Sequence, residues 1–532
     1  MRDRNNTISS RSQKFFFLFW WLTFLALLGM AWKNRFIQDD AFISFRYAFH
    51  SAQGQGLVWN LGELVEGYTN FLWVLILRSA FMVGLEPIGV SFVLGLACFA
   101  GTLFLSYRSA QQCLRSTLGA WAVLFFVGSN YSCSVYATGG LETALQTFLH
   151  LWLFDYTLRR SPSPWALLGF SALASLTLLN RLDSGILVFL LICWWILRLL
   201  KEPRKFFLIA CLGTPCCLFL FLWFSWRFSY YGMWLPNTFY VKVAHFQAWT
   251  QGFFFLYLFF LSYGLFPFCV LGLYLFCTEK QLREPWLIFI GALLISWSFY
   301  LLRIGGDFME FRLMVPILPF FFIGVVWQLL QFKAVLAWGF LIVLGSLHHS
   351  LTWGSILPQR GIDSIEQLKS YVDEENLNWT RIGKVLYHYF PEDDIRLATS
   401  AIGAIGFYSQ KYTLDLLGLT DAWVAHFGET KGTRPGHQKR ASFAYVKEKR
   451  IHLLLGNPWI KPLSRVVPYH LKNINLFSEV VIPNRGELPS SARILEIPVA
   501  PEYVLVSLYL FPHPAIEEAI QRYQWKQYQI LD

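Results

Sequence analysis

The chain reads as a polytopic α-helical membrane protein, with about 11 transmembrane helices and a C-terminal extracytoplasmic α/β domain. Three observations predict this. Of its 532 residues, 55% are hydrophobic and 18% aromatic, while 14% are charged; soluble proteins carry about a quarter charged residues. The apolar residues come in blocks of roughly 17–22, each long enough to cross about 30 Å of hydrocarbon as a helix and without the polar stripe of a soluble amphipathic helix. The charge also changes character along the chain. Before Leu351 there are 24 Lys and Arg against 14 Asp and Glu, and from Leu351 onward 20 against 19. A basic surplus confined to the apolar part is what positive-inside loops and anionic membrane lipids require. No basic stripe on the soluble part points to nucleic acid. The boundary therefore falls between a transmembrane domain, 1–350, and a soluble α/β domain, 351–532.

The elements follow in order. Lys14 and its preceding arginines lead into Phe15–Trp32, read as a retained signal anchor because no small-residue cleavage site follows. Basic clusters mark the cytoplasmic loops: the N-terminus, Arg108 with Arg115, Arg159 with Arg160, Lys201 to Lys205, Lys280 with Arg283, and Lys333. An odd number of crossings must separate Arg35, outside, from Arg108, inside. Phe71–Val83 is short and carries Arg78, so it reads as an interfacial or re-entrant helix, and Ile88–Leu105 as the crossing. The remaining spans are Leu118–Tyr136, Leu141–Leu158, Trp165–Asn180, Gly185–Leu197, Phe206–Phe224, Phe253–Cys277, Trp286–Leu302, Leu313–Leu330 and Ala334–Leu347. The soluble part shows helical periodicity over Ile365–Tyr389. Short strands are expected at Ile395–Thr399, Tyr412–Leu416, Ile451–Leu455, Leu476–Ile482 and Tyr503–Leu510, and a closing helix at Pro514–Tyr528. Gly403 and Gly406 form no nucleotide fingerprint, since the third glycine is missing. All nine cysteines precede Leu351 and show no zinc spacing.

This topology puts the most polar non-basic clusters on the outer side, where ionisable groups near hydrocarbon usually face a cavity. Asp39 and Asp40 are adjacent carboxylates. They repel, so one holds a proton or the two share a cation, which makes a divalent cation a candidate cofactor. Either can deprotonate a hydroxyl; Asp39 can equally cap a helix starting near Ala41. Glu66, Tyr68 and Asn70 suit either a capped turn or a wall facing hydroxyl-rich ligands. Glu142, Arg181 and Asp183 sit at the outer ends of spans, where Arg181 and Asp183 can also simply neutralise each other. Among Tyr230 to Lys242, an aromatic belt explains the tyrosines but not Asn237, and Lys242 is a candidate for a phosphate. Arg303, Asp307, Glu310 and Arg312 bracket Gly305-Gly306. The arginines suit a lipid phosphate, and an ion-paired surface loop explains the four as well. His348, His349 and His437 lack metal-ligand spacing.

Several strings occur together and in order: Asp39–Tyr47, Gly56–Asn60, Val65–Trp73, Leu235–Tyr240, Gly305–Met309, Leu414–Asp421 and Gly436-His437. The set resembles the membrane glycosyltransferases related to the mycobacterial terminal arabinofuranosyltransferases, within the GT-C superfamily, from about Phe36 to about His437. The resemblance implies a GT-C fold in a bacterial inner membrane with the C-terminal domain outside, and the basic clusters put the N-terminus in the cytoplasm. It implies a polyprenyl-phosphate-linked sugar as donor, arabinofuranose in the mycobacterial members, and an envelope glycan or lipid as acceptor. It also implies an essential Asp in the first outer loop, with Asp39 favoured over Asp40 as the first acid of the pair. On that scheme Lys242, Arg303 and Arg312 hold the donor phosphate. Arg46, Glu66, Tyr68, Asn70, Glu142, Arg181, Asp183, Asn237, Tyr240, Asp307 and Glu310 contact sugar or acceptor. The rival readings are the same reaction with mannose or aminoarabinose, a lipid-linked glycan transporter, and a non-catalytic glycan-binding protein. The transporter predicts helices broken at mid-membrane and related halves, and the sequence shows neither.

Overall fold

In hydrocarbon a backbone has no water to bond, so each apolar block must form a helix. The computed structural model describes residues 10–242, 248–278, 284–391, 393–431, 434 and 436–531; Arg2, Arg4, Lys280 and Arg283, expected in cytoplasmic loops, lie outside them. The N-terminal part is α1 (Ser10–Lys33), α2 (Asp39–Ala52), α3 (Phe71–Met82), α4 (Pro87–Leu114), α5 (Thr117–Ser129), α6 (Tyr131–Val135), α7 (Thr143–Arg159) and α8 (Pro164–Asn180). It continues through α9 (Gly185–Leu199), α10 (Lys205–Tyr231), α11 (Asn237–Lys242), α12 (Ala248–Ser262), α13 (Phe266–Thr278), α14 (Pro285–Ile304), α15 (Leu318–Gln331) and α16 (Val335–Thr352). Six helices among the described residues are long and apolar enough to cross a membrane, or seven if the bent pair α12–α13 is one span.

Two expected spans are interrupted. Leu118–Tyr136 divides at Asn130, whose side chain accepts from Cys133 N and restarts the chain as α6. Phe253–Cys277 breaks between α12 and α13 with a bend of 100°. Gly264, in the left-handed region at φ +66°, turns the corner, and Tyr263 anchors it through its hydroxyl on Ser132 N and Oγ. Of the candidate spans, the stretch Arg312–Gln331 is the most enclosed, buried along nearly its whole length. It opens as a 3₁₀ turn, Arg312–Ile317, and runs into α15 through the middle of the bundle.

The C-terminal part is a six-stranded mixed sheet of order β2-β1-β5-β7-β6-β8, built from β1 (Arg396–Thr399), β2 (Tyr412–Asp415), β5 (Leu453–Pro462), β6 (Arg493–Ala500), β7 (Tyr503–Tyr509) and β8 (Lys526–Tyr528). β1, β2 and β5 run parallel, and the other pairings are antiparallel. A separate two-residue ladder joins β3 (Glu429–Thr430) to β4 (Lys439–Arg440). The helices are α17 (Ile365–Ser370), α18 (Trp379–Tyr389), α19 (Ile402–Ser409), α20 (Ala422–Phe427), α21 (Phe443–Glu448), α22 (Leu471–Ser478) and α23 (Pro514–Tyr523). α18 and α23 pack on one sheet face through Ile382, Leu386, Ile516 and Ile520. α21 and α22 cover the other through Phe443, Val446, Ile474 and Phe477.

Three expectations here are corrected. The periodic stretch Ile365–Tyr389 is two helices separated by a turn, in which Asn378 Nδ2 donates to Ser370 O at 2.6 Å and to Asp373 O. Leu476–Ile482 is no strand: its first three residues are the end of α22, in which Ile474 and Phe477 are buried one turn apart, and the rest is irregular chain. The strand lies further on, at β6. Its Pro498 is tolerated because β8 pairs β6 only from Ile494 to Glu496, so no partner needs the missing N–H. The closing helix ends at Tyr523, where Gln524 takes the left-handed conformation and the chain re-enters the sheet as β8.

Candidate active site

α2 begins where Gln38, in an extended conformation, accepts from Asp40 N at 2.5 Å. Asp39 and Asp40 then occupy its first turn, where negative charge meets the positive end of the helix dipole. Successive helical residues point about 100° apart, and the two carboxylates go to different places. Asp40 borders a cavity of about 540 Å³. Asp39 accepts from Gly403 N at 3.1 Å and Ala404 N at 2.8 Å, at the start of α19. It therefore caps a helix of the C-terminal domain rather than its own, and it does not border the cavity. Of the two carboxylates, Asp40 is the one that borders the cavity. Burial pushes the Asp39 carboxyl up to about 7, aided by the Asp40 charge and opposed by the two amides. Burial also raises Asp40, while Arg312 and Lys242 pull it back and Asp307 adds to the rise.

Segments from distant parts of the chain build the rest of the cavity. α14 ends at Gly305, and Gly305-Gly306, both at positive φ, reverse the chain so that Asp307 and Arg312 face Asp40's side. Arg303, in the last turn of α14, and Lys242, at the end of α11, also border the space. Among the described residues neither makes an ion pair, whereas Arg312 Nε holds Asp307 at 2.8 Å. The other acids are paired too. Arg181 bridges Glu142 at 2.6 Å and Asp183 at 2.5 Å, and Arg227 holds Glu66 at 2.5 Å. Asn70 donates to Glu142 at 2.7 Å, and Tyr68 shares a hydrogen bond with Tyr231 at 3.0 Å. Asp40 is thus the one cavity carboxylate that has no counter-ion in direct contact among the described residues. Phe71, Trp223, Phe239 and Leu313 supply apolar wall.

Five residues expected at the site lie elsewhere. Asp39 is one. Arg46 donates to Trp59 O, Gly406 O and Lys411 O at 2.8, 2.5 and 2.7 Å, across the seam between the two halves of the chain. Asn237 donates to Gly418 O, Leu419 O and Asp421 O at 2.7, 3.2 and 3.1 Å, and so latches the loop that brings Leu419 to the cavity. Tyr240 packs on His426, ring centroids 4.4 Å apart. Glu310 is buried against His349 Nε2 at 2.7 Å and accepts from Ile365 N. A buried polar seam demands the same side chains as a sugar site, which is why spacing did not separate the two. Sequence reasoning missed Ser44, Arg227 and Tyr300, all of which border the cavity. Arg227 had a signal: a lone arginine in the apolar run of α10, where an ionisable group marks a functional position by default.

No three His, Cys, Asp or Glu side chains among the described residues converge to hold a metal ion. Asp39 and Asp40 point apart, Asp39 to the amides of Gly403 and Ala404 and Asp40 to the cavity.

Comparison with known proteins places this geometry. Residues 366–509 match a family described as a domain of unknown function (DUF8728). The terminal β-(1→2)-arabinofuranosyltransferase of Mycobacterium tuberculosis is 25% identical over 340 residues, 56% of this chain and 53% of that protein. The enzyme of the same name from Corynebacterium glutamicum is 25% identical over 418 residues, 66% of this chain and 58% of its own. The chain thus spans little more than half the length of these relatives. Among solved structures, ArnT from Cupriavidus metallidurans bound to undecaprenyl phosphate superposes with a TM-score of 0.52 at 13% identity, over 92% of this chain and 98% of ArnT. Its apo form gives the same TM-score at 14% identity. The chain shares the membrane fold of the ArnT structures, with its mixed-sheet domain at the C-terminus.

Proposed function

We propose that this chain is a glycosyltransferase that moves a sugar from a polyprenyl-phosphate donor to an envelope glycan or lipid on the extracytoplasmic face. One observation carries the reading: the unpaired carboxylate Asp40 shares one cavity with Lys242, Arg303 and Arg312. The relatives' names and the undecaprenyl phosphate of the ArnT structure support it. In the topology that goes with it, α12 and α13 together make one of eleven crossings. The N-terminus is cytoplasmic and the sheet domain lies outside. Arg108 and Arg159 then converge on Asp155 at the inner surface.

The cations meet the phosphate, and the aromatic wall meets the first isoprene units. Asp40 accepts the proton of an acceptor hydroxyl as that oxygen bonds to the anomeric carbon. The bond from that carbon to the phosphate oxygen breaks, and its electron pair leaves on polyprenyl phosphate, whose charge Lys242, Arg303 and Arg312 stabilise. Arg181 with its two carboxylates, Asn70 and Tyr68 line the space where the two sugars are oriented. The sugar is arabinofuranose-like on the strength of the named relatives, with mannose and aminoarabinose as the tested alternatives. The broken pair α12–α13 does not favour a transporter: its corner is tied to Ser132 by Tyr263 and carries none of the cavity's charges.

The experiment is transfer by the purified full chain in lipid nanodiscs, offered polyprenyl-phosphate-linked arabinofuranose, mannose or aminoarabinose with an oligosaccharide acceptor. Release of polyprenyl phosphate with one donor and extension of the acceptor is the expected result. No release with any donor overturns the proposal.

A further inference from the structure

The first turn of α2 holds two carboxylates, and the mechanism uses one. We propose that Asp39 is a positioning residue: together with Arg46 it clasps α19 of the C-terminal domain at both ends, and this clasp fixes the direction in which Asp40 faces the cavity. The inference rests on Asp40 being the base of the reaction above.

Asp39 and Arg46 are seven residues apart, two helical turns, and so lie on one face of α2. α19 lies along that face. Asp39 accepts from Gly403 N and Ala404 N at the N-terminal end of α19. Arg46 donates to Gly406 O and Lys411 O at its C-terminal end. A negative group thus meets the positive end of the short helix and a positive group its negative end. The guanidinium is itself braced, donating to Trp59 O and lying 4.4 Å from the centroid of the Trp59 ring.

The glycines that matched no nucleotide fingerprint explain how close this contact is. A Cβ at Gly403 would stand 2.0 Å from Asp39 O and 2.7 Å from its carboxyl carbon. One at Gly406 would stand 2.5 Å from the Trp59 ring and 2.9 Å from Arg46 Nη1. Only bare backbone lets α19 lie flush on α2. With both carboxylate oxygens engaged and α19 over it, Asp39 has no path to a substrate hydroxyl unless the C-terminal domain lifts. Asp40 is the next residue round the helix, and its counterparts Lys242 and Arg312 stand on other elements. Any roll of α2 about its axis therefore changes the distance from Asp40 to them, and the clasp resists that roll.

The test uses the full chain in nanodiscs as wild type, Asp39→Asn, Gly403→Ala, the milder Arg46→Lys, and Asp40→Asn. Backbone amide exchange at residues 402–406 reads the clasp. Polyprenyl phosphate release reads kcat and KM, and undecaprenyl phosphate binding reports a folded cavity. Asp39→Asn and Gly403→Ala are expected to speed exchange roughly tenfold or more, the scale of a lost charge-assisted hydrogen bond. They are expected to lower kcat about 10- to 100-fold, as misplacement by about an ångström does. KM for the donor and undecaprenyl phosphate affinity stay within about twofold, and the acid limb of the pH–rate profile stays where wild type has it. Arg46→Lys gives a smaller effect in the same direction. Asp40→Asn stops turnover and leaves exchange unchanged. Loss of the acid limb in Asp39→Asn, with normal kcat in Gly403→Ala, would make Asp39 the base and overturn the inference. So would unchanged exchange at 402–406 in both clasp variants. Wild type without turnover would instead remove the transferase reading, and exchange would still judge the clasp.

Discussion

At the scale of single residues, the cavity separates charges that are already neutralised from charges held ready. Glu66, Glu142, Asp183 and Asp307 each have an arginine; Asp40 does not. Burial lifts Asp40 above its ordinary 3.8. A raised carboxyl binds its proton at a pH where an exposed aspartate has lost it. The base is therefore charged only above that raised value, and kcat/KM must fall as pH drops through it. A pH–rate profile is expected to show an acid limb above the ordinary aspartate range, moved but kept by Asp40→Glu. Asp40→Asn should lower kcat by about 10²- to 10⁴-fold, the usual worth of a general base. Lys242→Ala and Arg303→Ala should each weaken undecaprenyl phosphate binding about tenfold, the worth of one charge-assisted contact, as read by titration in nanodiscs. All three cations expected at the donor phosphate, Lys242, Arg303 and Arg312, border the cavity, because cations stranded at the outer boundary of an apolar chain have few other uses. The choice between Asp39 and Asp40 was not legible. Adjacent helical residues differ only in direction, and here both directions are packed.

At the scale of elements, the apolar runs were readable and their interruptions were not. Leu118–Tyr136 and Phe253–Cys277 are continuous in hydropathy yet divide at Asn130 and Gly264. Gly264 followed by Pro267 is punctuation of the kind that turns a chain, and it was the available signal. In the soluble part, α22 was mistaken for a strand because its buried residues are few and its apolar tail runs on to Ile482. β6 was overlooked because it carries a proline. The strings that carry the resemblance in the sequence resolve into two jobs. Asp40, Val65–Asn70 and Gly305–Asp307 shape the cavity, whereas Arg46, Trp59, Asn60 and Asn237 seat the C-terminal domain. Asn237→Ala would strip three carbonyls of their shared donor. Each backbone group left without a partner in a buried place costs about 1–3 kcal/mol. A thermal unfolding midpoint lowered by several degrees is expected, with a raised KM for acceptor as Leu419 leaves the cavity wall. An unchanged midpoint would contradict the latch.

At the scale of the whole molecule, the helix bundle and the meeting of distant polar loops in one cavity follow from hydropathy and charge. The depth of the union between the halves does not, because it depends on contacts between residues more than 300 positions apart. Ile402 and Ala404 of α19 belong to the same apolar core as the membrane helices. A chain ending at residue 350 is therefore expected to lose all transfer activity and to bind undecaprenyl phosphate poorly, as α2 loses the surface it rests on. Full activity in such a truncation, measured by polyprenyl phosphate release, would contradict the interdependence.

β2 is the outermost strand of its sheet, and its free side is occupied from the other half of the chain. Asn60 both accepts from Thr413 N at 3.0 Å and donates to Thr413 O at 3.1 Å, as a neighbouring strand would, while Trp59 Nε1 donates to the same carbonyl. Cut away from the membrane, residues 351–532 would present that border bare and invite the same segment of a second copy to complete it. A secreted fragment of this protein should therefore be adhesive, self-associating as its concentration rises in light scattering. Its solubility should return when a short peptide spanning Gly56–Asn60 is supplied to shield the rim.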